Sequence, residues 1–240
     1  MSATWVPPQR VPNGFTLLDV CCKSGGASYG YYLAGFDVVG VDREPQPHYP
    51  FPFIQADLRD LDPEWIAQNF DASAWSPPCW AHSDLKHRTG LEYEDFIPEA
   101  RELAVASGLP YVMENVEGAP LLDPLVLCGT QFEGLRVTRH RLFESNVLLY
   151  PPRPHAKGRE PLHFTHDKRK KHYGQLDEMT AFVTVTGGGN CSKAAAAAAM
   201  GIPSGWMTKD EMNQAIPPAY TEWIGQQLAD HLVGSAALAA

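Results

Sequence analysis

An α/β fold is predicted from three features of the sequence. Short apolar runs at residues 15–20, 36–42 and 53–57 each close on or near an acid: Asp19, Asp42 and Asp57. Helical stretches alternate with such runs, as in βαβ units built on a parallel sheet. A glycine turn, Gly25-Gly26, falls between the first run and the first helix. Strand, glycine turn, helix, strand and acid, in that order, open a nucleotide-binding unit.

Residues 15–20 read as a buried strand, being short and mostly apolar. A helix over 27–34 is closed by Gly35 as its C-cap. Residues 36–42 make the second strand, 45–52 a proline-rich loop, and 53–57 the third strand. A helix is expected over 61–69, and a fourth strand leads into Ser76-Pro77-Pro78-Cys79. The helix over 94–107 is marked by Phe96, Ile97, Ala100, Leu103 and Ala104, with Pro98 in its first turns, where proline is tolerated. Residues 109–116 make a fifth strand, and an extended segment runs from 139–143 to near Tyr150. Residues 151–180 are proline-rich, then basic and histidine-rich, with little periodicity. They read as an inserted recognition loop or a disordered excursion. Residues 182–186 read as a strand and 187–190 as a turn. Ser192 caps an alanine-rich helix through Met200, its six alanines read as helix propensity. Thr208 caps a short helix to Met212, and Pro217-Pro218 opens a last helix over 219–232.

The 240 residues, 44% of them hydrophobic, suit one domain with a sizeable core. No run of 18 apolar residues occurs, and the N-terminus has neither a basic n-region nor an apolar h-region. A cytoplasmic protein without a membrane span is expected. The five cysteines are odd in number and form no C-x-x-C pair, so neither a disulfide framework nor a metal site is expected. One working cysteine among buried ones fits better. The net charge is −9, yet residues 153–173 carry seven positive and two negative groups, leaving −14 on the rest. Such a basic segment can hold a phosphate backbone, or it can be a solvated loop.

Gly25-Gly26 lets backbone approach a ligand closely. Lys23 and Ser24 break the G-x-G-x-x-G pattern, which favours a nucleoside ligand other than a dinucleotide. Asp42 can accept from ribose hydroxyls and Asp57 from an adenine amino group. A lone strand-end acid is otherwise a cap or turn residue, but three strand ends in order suggest adenosine. Cys79 lies on a loop after the fourth strand, at the carboxyl edge where open sheets bind ligands. Two prolines stiffen that loop and aim the thiol, and a nucleophile gains from being fixed in advance. The alternative is a buried structural cysteine. Glu114 ends the next strand and can act beside Cys79 as an acid if burial raises its pKa.

These residues resemble the DNA cytosine-5 methyltransferase family. The resemblance rests on the stretch from Phe15 to Phe36, Val41-Asp42, Asp57, Ser76-Pro-Pro-Cys79, Glu114-Asn-Val116, Arg139-His-Arg141 and Asn213-Gln-Ala-Ile-Pro-Pro218. It spans about residues 15–230 and is similar to the short methylases carried by bacteriophages. It implies a Rossmann-like class I methyltransferase fold with a short recognition insertion. The core would be 1–150, the insertion 151–190, and the completing C-terminal helices 191–240. It implies transfer of a methyl group from S-adenosylmethionine to C5 of a flipped-out cytosine in double-stranded DNA.

In that reading the Cys79 thiolate adds to C6, Glu114 holds N3 and the exocyclic amine, and Arg139 and Arg141 bind O2 and a nearby phosphate. Asp19, Cys21, Gly25, Gly26, Asp42, Asp57, Pro78, Asn213 and Ala215 would hold the cofactor. Lys168, Arg169, Lys170 and Lys171 would hold DNA. The family usually has Phe where Cys21 stands, Gly where Lys23 stands, Gln where Trp80 stands, and often Gln where Val137 stands. Lys23 hints at a modified, carboxylated cofactor or a group other than methyl. So short an insertion implies a target of roughly two to four base pairs, or weak specificity. A monomer serving restriction evasion for a phage is the expected setting. The rivals are modification of free dCMP and a non-catalytic DNA-binding relic.

Overall fold

The computed structural model describes residues 5–82, 91–155, 161–165, 168–170, 173–186 and 191–239. The turn expected at 187–190, and Lys157, Arg159 and Lys171 of the basic segment, lie outside them.

One mixed sheet of seven strands organises the described chain. Its strands are β1 (Thr16–Val20), β2 (Asp37–Asp42), β3 (Phe53–Gln55), β4 (Ala72–Trp75), β5 (Tyr111–Asn115), β6 (Leu125–Leu127) and β7 (Arg141–Ser145). The spatial order is β3-β2-β1-β4-β5-β7-β6. The first five are parallel, and β7 runs antiparallel between β5 and β6. The helices are α1 (Gly26–Leu33), α2 (Pro63–Asn69), α3 (Ile97–Ala106), α4 (Lys193–Met200), α5 (Lys209–Gln214) and α6 (Pro218–Ala239). Among the described residues no helix is long and apolar enough to cross a membrane.

Alternation along the strands feeds two cores, because successive side chains point to opposite faces. Leu17, Val38, Ala72, Ala74 and Val112 meet Tyr31, Tyr220, Ile224 and Leu228 of α1 and α6 on one face. Leu18, Val20, Val41, Trp75 and Met113 meet Ile66, Ile97, Ala100 and Ala104 of α2 and α3 on the other. Glycines set the α1–α6 spacing. A methyl group at Gly30 would lie 2.0 Å from Thr221 Oγ1, and one at Gly225 2.7 Å from Ala34 Cβ. The caps read from sequence hold: Ser192 accepts from the Ala195 N–H, and Thr208 and Glu211 form a capping box.

Three expectations change, and one strand was not anticipated. Residues 182–186 form no strand; Phe182 makes one isolated bridge to His163, and Val183 and Val185 bury themselves in a third core. The alanines of α4 do more than favour helix. Ala195, Ala196, Ala197 and Ala199 are buried in that core beside Met200, Trp206 and Met212, where small side chains permit close approach. Strand β6 is three residues long, too short for a periodic signal. The last helix runs on to Ala239.

A buried ion pair ties α3 to β7. Glu144 is 2% exposed and accepts from Arg101 Nε at 2.8 Å, Arg101 NH2 at 2.7 Å, Tyr111 Oη at 3.1 Å and the Leu122 N–H at 2.8 Å. Burial alone would raise its pKa, but these four donors prevail and hold it below the usual glutamate range. A depressed folded-state pKa contributes stability above the unfolded value of about 4.3 and loses it as pH falls through the folded value. Glu144→Ala should therefore cost about 3–5 kcal/mol, because it leaves Arg101 without its buried partner. Urea unfolding at neutral pH measures that loss. The gap between wild type and variant should shrink in acid, and a gap that persists there would contradict this account of the pair.

Candidate active site

Parallel pairing brings the carboxyl ends of β1, β2, β4 and β5 to one edge, and a cleft opens there. A larger cavity of about 310 Å³ adjoins a smaller one of about 70 Å³. Cys21, Lys23, Ser76, Pro78 and Trp80 line both.

The loop after β4 carries Cys79 into the larger cavity. The Ser76 N–H donates to the Val20 carbonyl at 3.0 Å, continuing the β1–β4 pairing by one residue. Prolines 77 and 78 then carry no N–H, so they need no further backbone acceptor. The loop is anchored through its carbonyl instead: Asn115, 1% exposed, donates from Nδ2 to the Pro77 carbonyl at 3.0 Å. Its Oδ1 accepts from the Val116 N–H at 2.9 Å. Asn115 is thus a positioning residue to which sequence reasoning gave no role of its own. The adjacency of Glu114 and Asn115 was the available signal, since alternate strand residues serve opposite faces.

Glu114 and Arg141 pair within the same cavity, Arg141 Nε to Glu114 Oε1 at 2.9 Å. Burial raises the Glu114 pKa, while Arg141, Arg139 and Ser76 pull against it. Burial also raises the Cys79 pKa, and the Glu114 carboxylate adds to the rise; Arg141 and Arg139 lower it. Desolvation pushes Cys21 up to about 12 and Cys22 well above the thiol range. Of these three thiols, Cys79 alone is drawn down by arginines.

Arg139 lines the cavity, but its guanidinium is already engaged. It donates to the Val185 carbonyl and the Asn213 carbonyl, both at 2.7 Å, and its own carbonyl accepts from Tyr220 Oη at 2.7 Å. Burial, then Arg141, pulls its pKa down to about 9. Its Nε has no partner among the described residues. Arg139 therefore clamps residues 185 and 213 to the cleft wall, a role the sequence did not indicate.

At the other end of the cleft, Asp19 is fully buried and its pKa is pushed up to about 7 by burial, despite a short hydrogen bond from Ser28. Tyr49 Oη donates to Ser28 Oγ at 2.9 Å, completing a relay behind the wall. Asp19 Oδ1 and Asn213 Oδ1 are buried acceptors without partners among the described residues. Asp42 accepts from the Lys23 N–H at 3.1 Å and the Glu44 N–H at 3.0 Å, with Lys23 Nζ 3.4 Å away. Lys23 sits at φ 47°, a left-handed conformation that favours glycine. Its bonds to Asp42 hold it there.

The other site candidates divide. Asp57 lines the smaller cavity, yet it caps a short 3-10 turn and accepts from Arg59 Nε and NH2, both at 2.9 Å. The Arg59 bonds hold its pKa near about 2. Gly26 and Ala215 line the larger cavity, and a methyl group at Gly26 would lie 2.8 Å from the Ile216 carbonyl. Gly25 lines neither cavity. Its φ of 87° caps α1, and Tyr49 covers it. Glycine is needed here for turn geometry and packing, with ligand approach left to its neighbours. Lys168, Arg169 and Lys170 are exposed and are not among the residues that line the cleft; Lys171 lies outside the described residues.

A scan against family models and a search of curated proteins find no match. Solved structures do match in fold. A protein described as a DNA modification methyltransferase, encoded within an E. coli prophage, aligns over 92% of this chain and all of its own at 14% identity and TM-score 0.56. The Dnmt2 methyltransferase of S. pombe aligns over 91% and 99%, at 14% and 0.57. A DNMT2 mutant from Spodoptera frugiperda aligns over 90% and 99%, at 13% and 0.55. The chain thus shares the Rossmann-like fold of these proteins.

The electrostatics of the cleft make Cys79 testable before any substrate is known. Alkylation of Cys79 should have a pH midpoint above the ordinary thiol value of about 8.5. Glu114→Gln removes a negative charge that disfavours the thiolate, so the midpoint should fall. Peptide mass spectrometry after timed iodoacetamide exposure reads it, and an unchanged or higher midpoint would mean Glu114 does not face the thiol.

Proposed function

We propose that this chain is a DNA cytosine-5 methyltransferase that modifies C5 of cytosine through a covalent Cys79 adduct. The observation that carries the reading is the convergence, in one cleft, of Cys79, Glu114 and Arg141 with two buried acceptors that have no partner among the described residues. The cleft suits S-adenosylmethionine. Asp19 Oδ1 and Asn213 Oδ1, without partners among the described residues, can accept from an ammonium group, and Asp42 offers ribose hydroxyls a buried carboxylate. When bound, the cofactor supplies an electrophilic methyl sulfonium.

The residues account for the rest of the chemistry. Cytosine C5 is a weak nucleophile until a thiolate adds at C6. Cys79 must first lose its proton, and the two arginines oppose the burial that otherwise retains it. As the thiolate adds, N3 takes up a proton and C5 becomes enamine-like; Glu114, in the same cavity and with its pKa raised by burial, is the group placed to pass that proton on. Arg141 fixes the carboxyl through its Nε contact. After methylation a base removes the C5 proton, the C5–C6 double bond re-forms, and the thiolate leaves. The target base has to leave the duplex to be reached.

Free dCMP is the second reading, favoured by the acidic body of the chain. Lys23, at the cleft in place of a small residue, keeps open a transferred group other than methyl. The proposal extends to a short target, to a phage or prophage source, and to protection from restriction. Incubation of wild type and Cys79→Ala with duplex DNA and S-adenosylmethionine, then nucleoside mass spectrometry, tests it. 5-Methylcytosine should form with wild type only. Modified dCMP with untouched DNA would establish the second reading, and another added mass on cytosine would revise the donor. Cofactor binding with no product on either substrate would overturn the enzyme assignment.

A further inference from the structure

We propose that Cys128, His140 and His155 form a binding site for a zinc-type divalent metal ion, outside the methyl-transfer cleft. One ligand atom from each lies within 4.8 Å of the others. The two imidazoles face each other through their Nε2 atoms, 3.2 Å apart. With Zn–N near 2.0–2.1 Å and Zn–S near 2.3 Å, a tetrahedral ion spaces two nitrogens by about 3.3 Å and sulfur from nitrogen by about 3.6 Å. The histidine spacing matches that of a shared ion, and thiolate and imidazole are the S and N donors that zinc accepts.

The surroundings support the donors. His140 Nδ1 lies 3.4 Å from Glu117 Oε2, so a carboxylate stands behind the ring, on the side away from Nε2, as carboxylates commonly do behind metal-bound histidines. Thr130 Oγ1 lies 3.1 Å from Cys128 Sγ and donates to it, as it would to a thiolate. His155 is held by its own loop: Arg153 donates to the Thr130 carbonyl at 2.9 Å, and Gln131 Nε2 donates to the Arg153 carbonyl at 2.8 Å.

The three ligands come from three chain segments, which is why no C-x-x-C spacing announced them. Cys128 follows β6, His140 precedes β7, and His155 sits where the basic insertion begins. A bound ion ties that insertion to the β6–β7 edge, and His140 lies between Arg139 and Arg141. The site is thereby a structural clamp between recognition insertion and cleft wall, and its existence does not depend on which reaction the cleft performs.

Cobalt(II) titration of the chelator-treated full chain tests it. One equivalent should bind, with a thiolate-to-metal charge-transfer band and the strong visible absorption of four-coordinate cobalt. Cys128→Ser should abolish the charge-transfer band, and Cys79→Ser should keep it. Cys128 is fully buried, so circular dichroism checks that its variant is folded. His155→Ala, at a partly exposed loop position, gives an independent variant that should lose tight binding while folding normally. Glu117→Gln, which leaves the ligands intact, should weaken binding about tenfold. No stoichiometric binding, or a spectrum unchanged in the His155→Ala variant, would overturn the site.

Discussion

Parallel pairing of β1 with β2 on one side and β4 on the other is the constraint from which the rest of the molecule follows. Val20 is in register with both Val41 and Trp75, so the chain leaves three neighbouring strands at one level. The glycine turn, Asp42 and the Pro-Pro-Cys loop therefore emerge side by side. Parallel strands also need crossovers: α2 and α3 cover one face, while α1 covers the other together with the C-terminal α6. The buried asparagine next to Glu114 then spans from the fourth exit to the fifth by holding the Pro77 carbonyl.

Burial sets the electrical character of the cleft. It pushes Cys79, Glu114 and Asp19 toward their neutral forms, and it lowers Arg139. Arginines and carboxylates then partly restore charge to one another. Such a site is expensive in stability, because each desolvated group would be better hydrated outside. The cost is offset by apolar cores on both sheet faces and by fully satisfied structural pairs such as Arg101–Glu144.

Closure comes from distant parts of the chain. Arg139 reaches across to carbonyls of residues 185 and 213, and Ile216 and Ala215 press against Gly26. Helices α1 and α6 meet closely because Gly30 and Gly225 carry no side chains where they touch. The alanine-rich α4 adds a third core on which residues 183–185 settle without strand pairing. Those residues carry a β-type pattern, but apart from the bridge at Phe182 they join no ladder among the described residues, and burial holds their conformation.

By itself the sequence determined the five parallel strands, the helix caps at Ser192 and Thr208, and the residue types of the cleft. Each follows from local physics: apolar run length, side-chain capping, and backbone stiffness before Cys79. It could not distinguish a strand-end acid aimed at a ligand from one serving as a cap. Asp57 is engaged by Arg59 while Asp19 Oδ1 has no partner among the described residues, and only neighbours in space decide that difference. The carbonyl clamp of Arg139, the anchoring role of Asn115, the cover of Tyr49 over Gly25, and the meeting of Cys128 with two histidines are likewise tertiary. All depend on contacts between segments far apart in the chain, and neither periodicity nor spacing encodes such contacts in a single sequence.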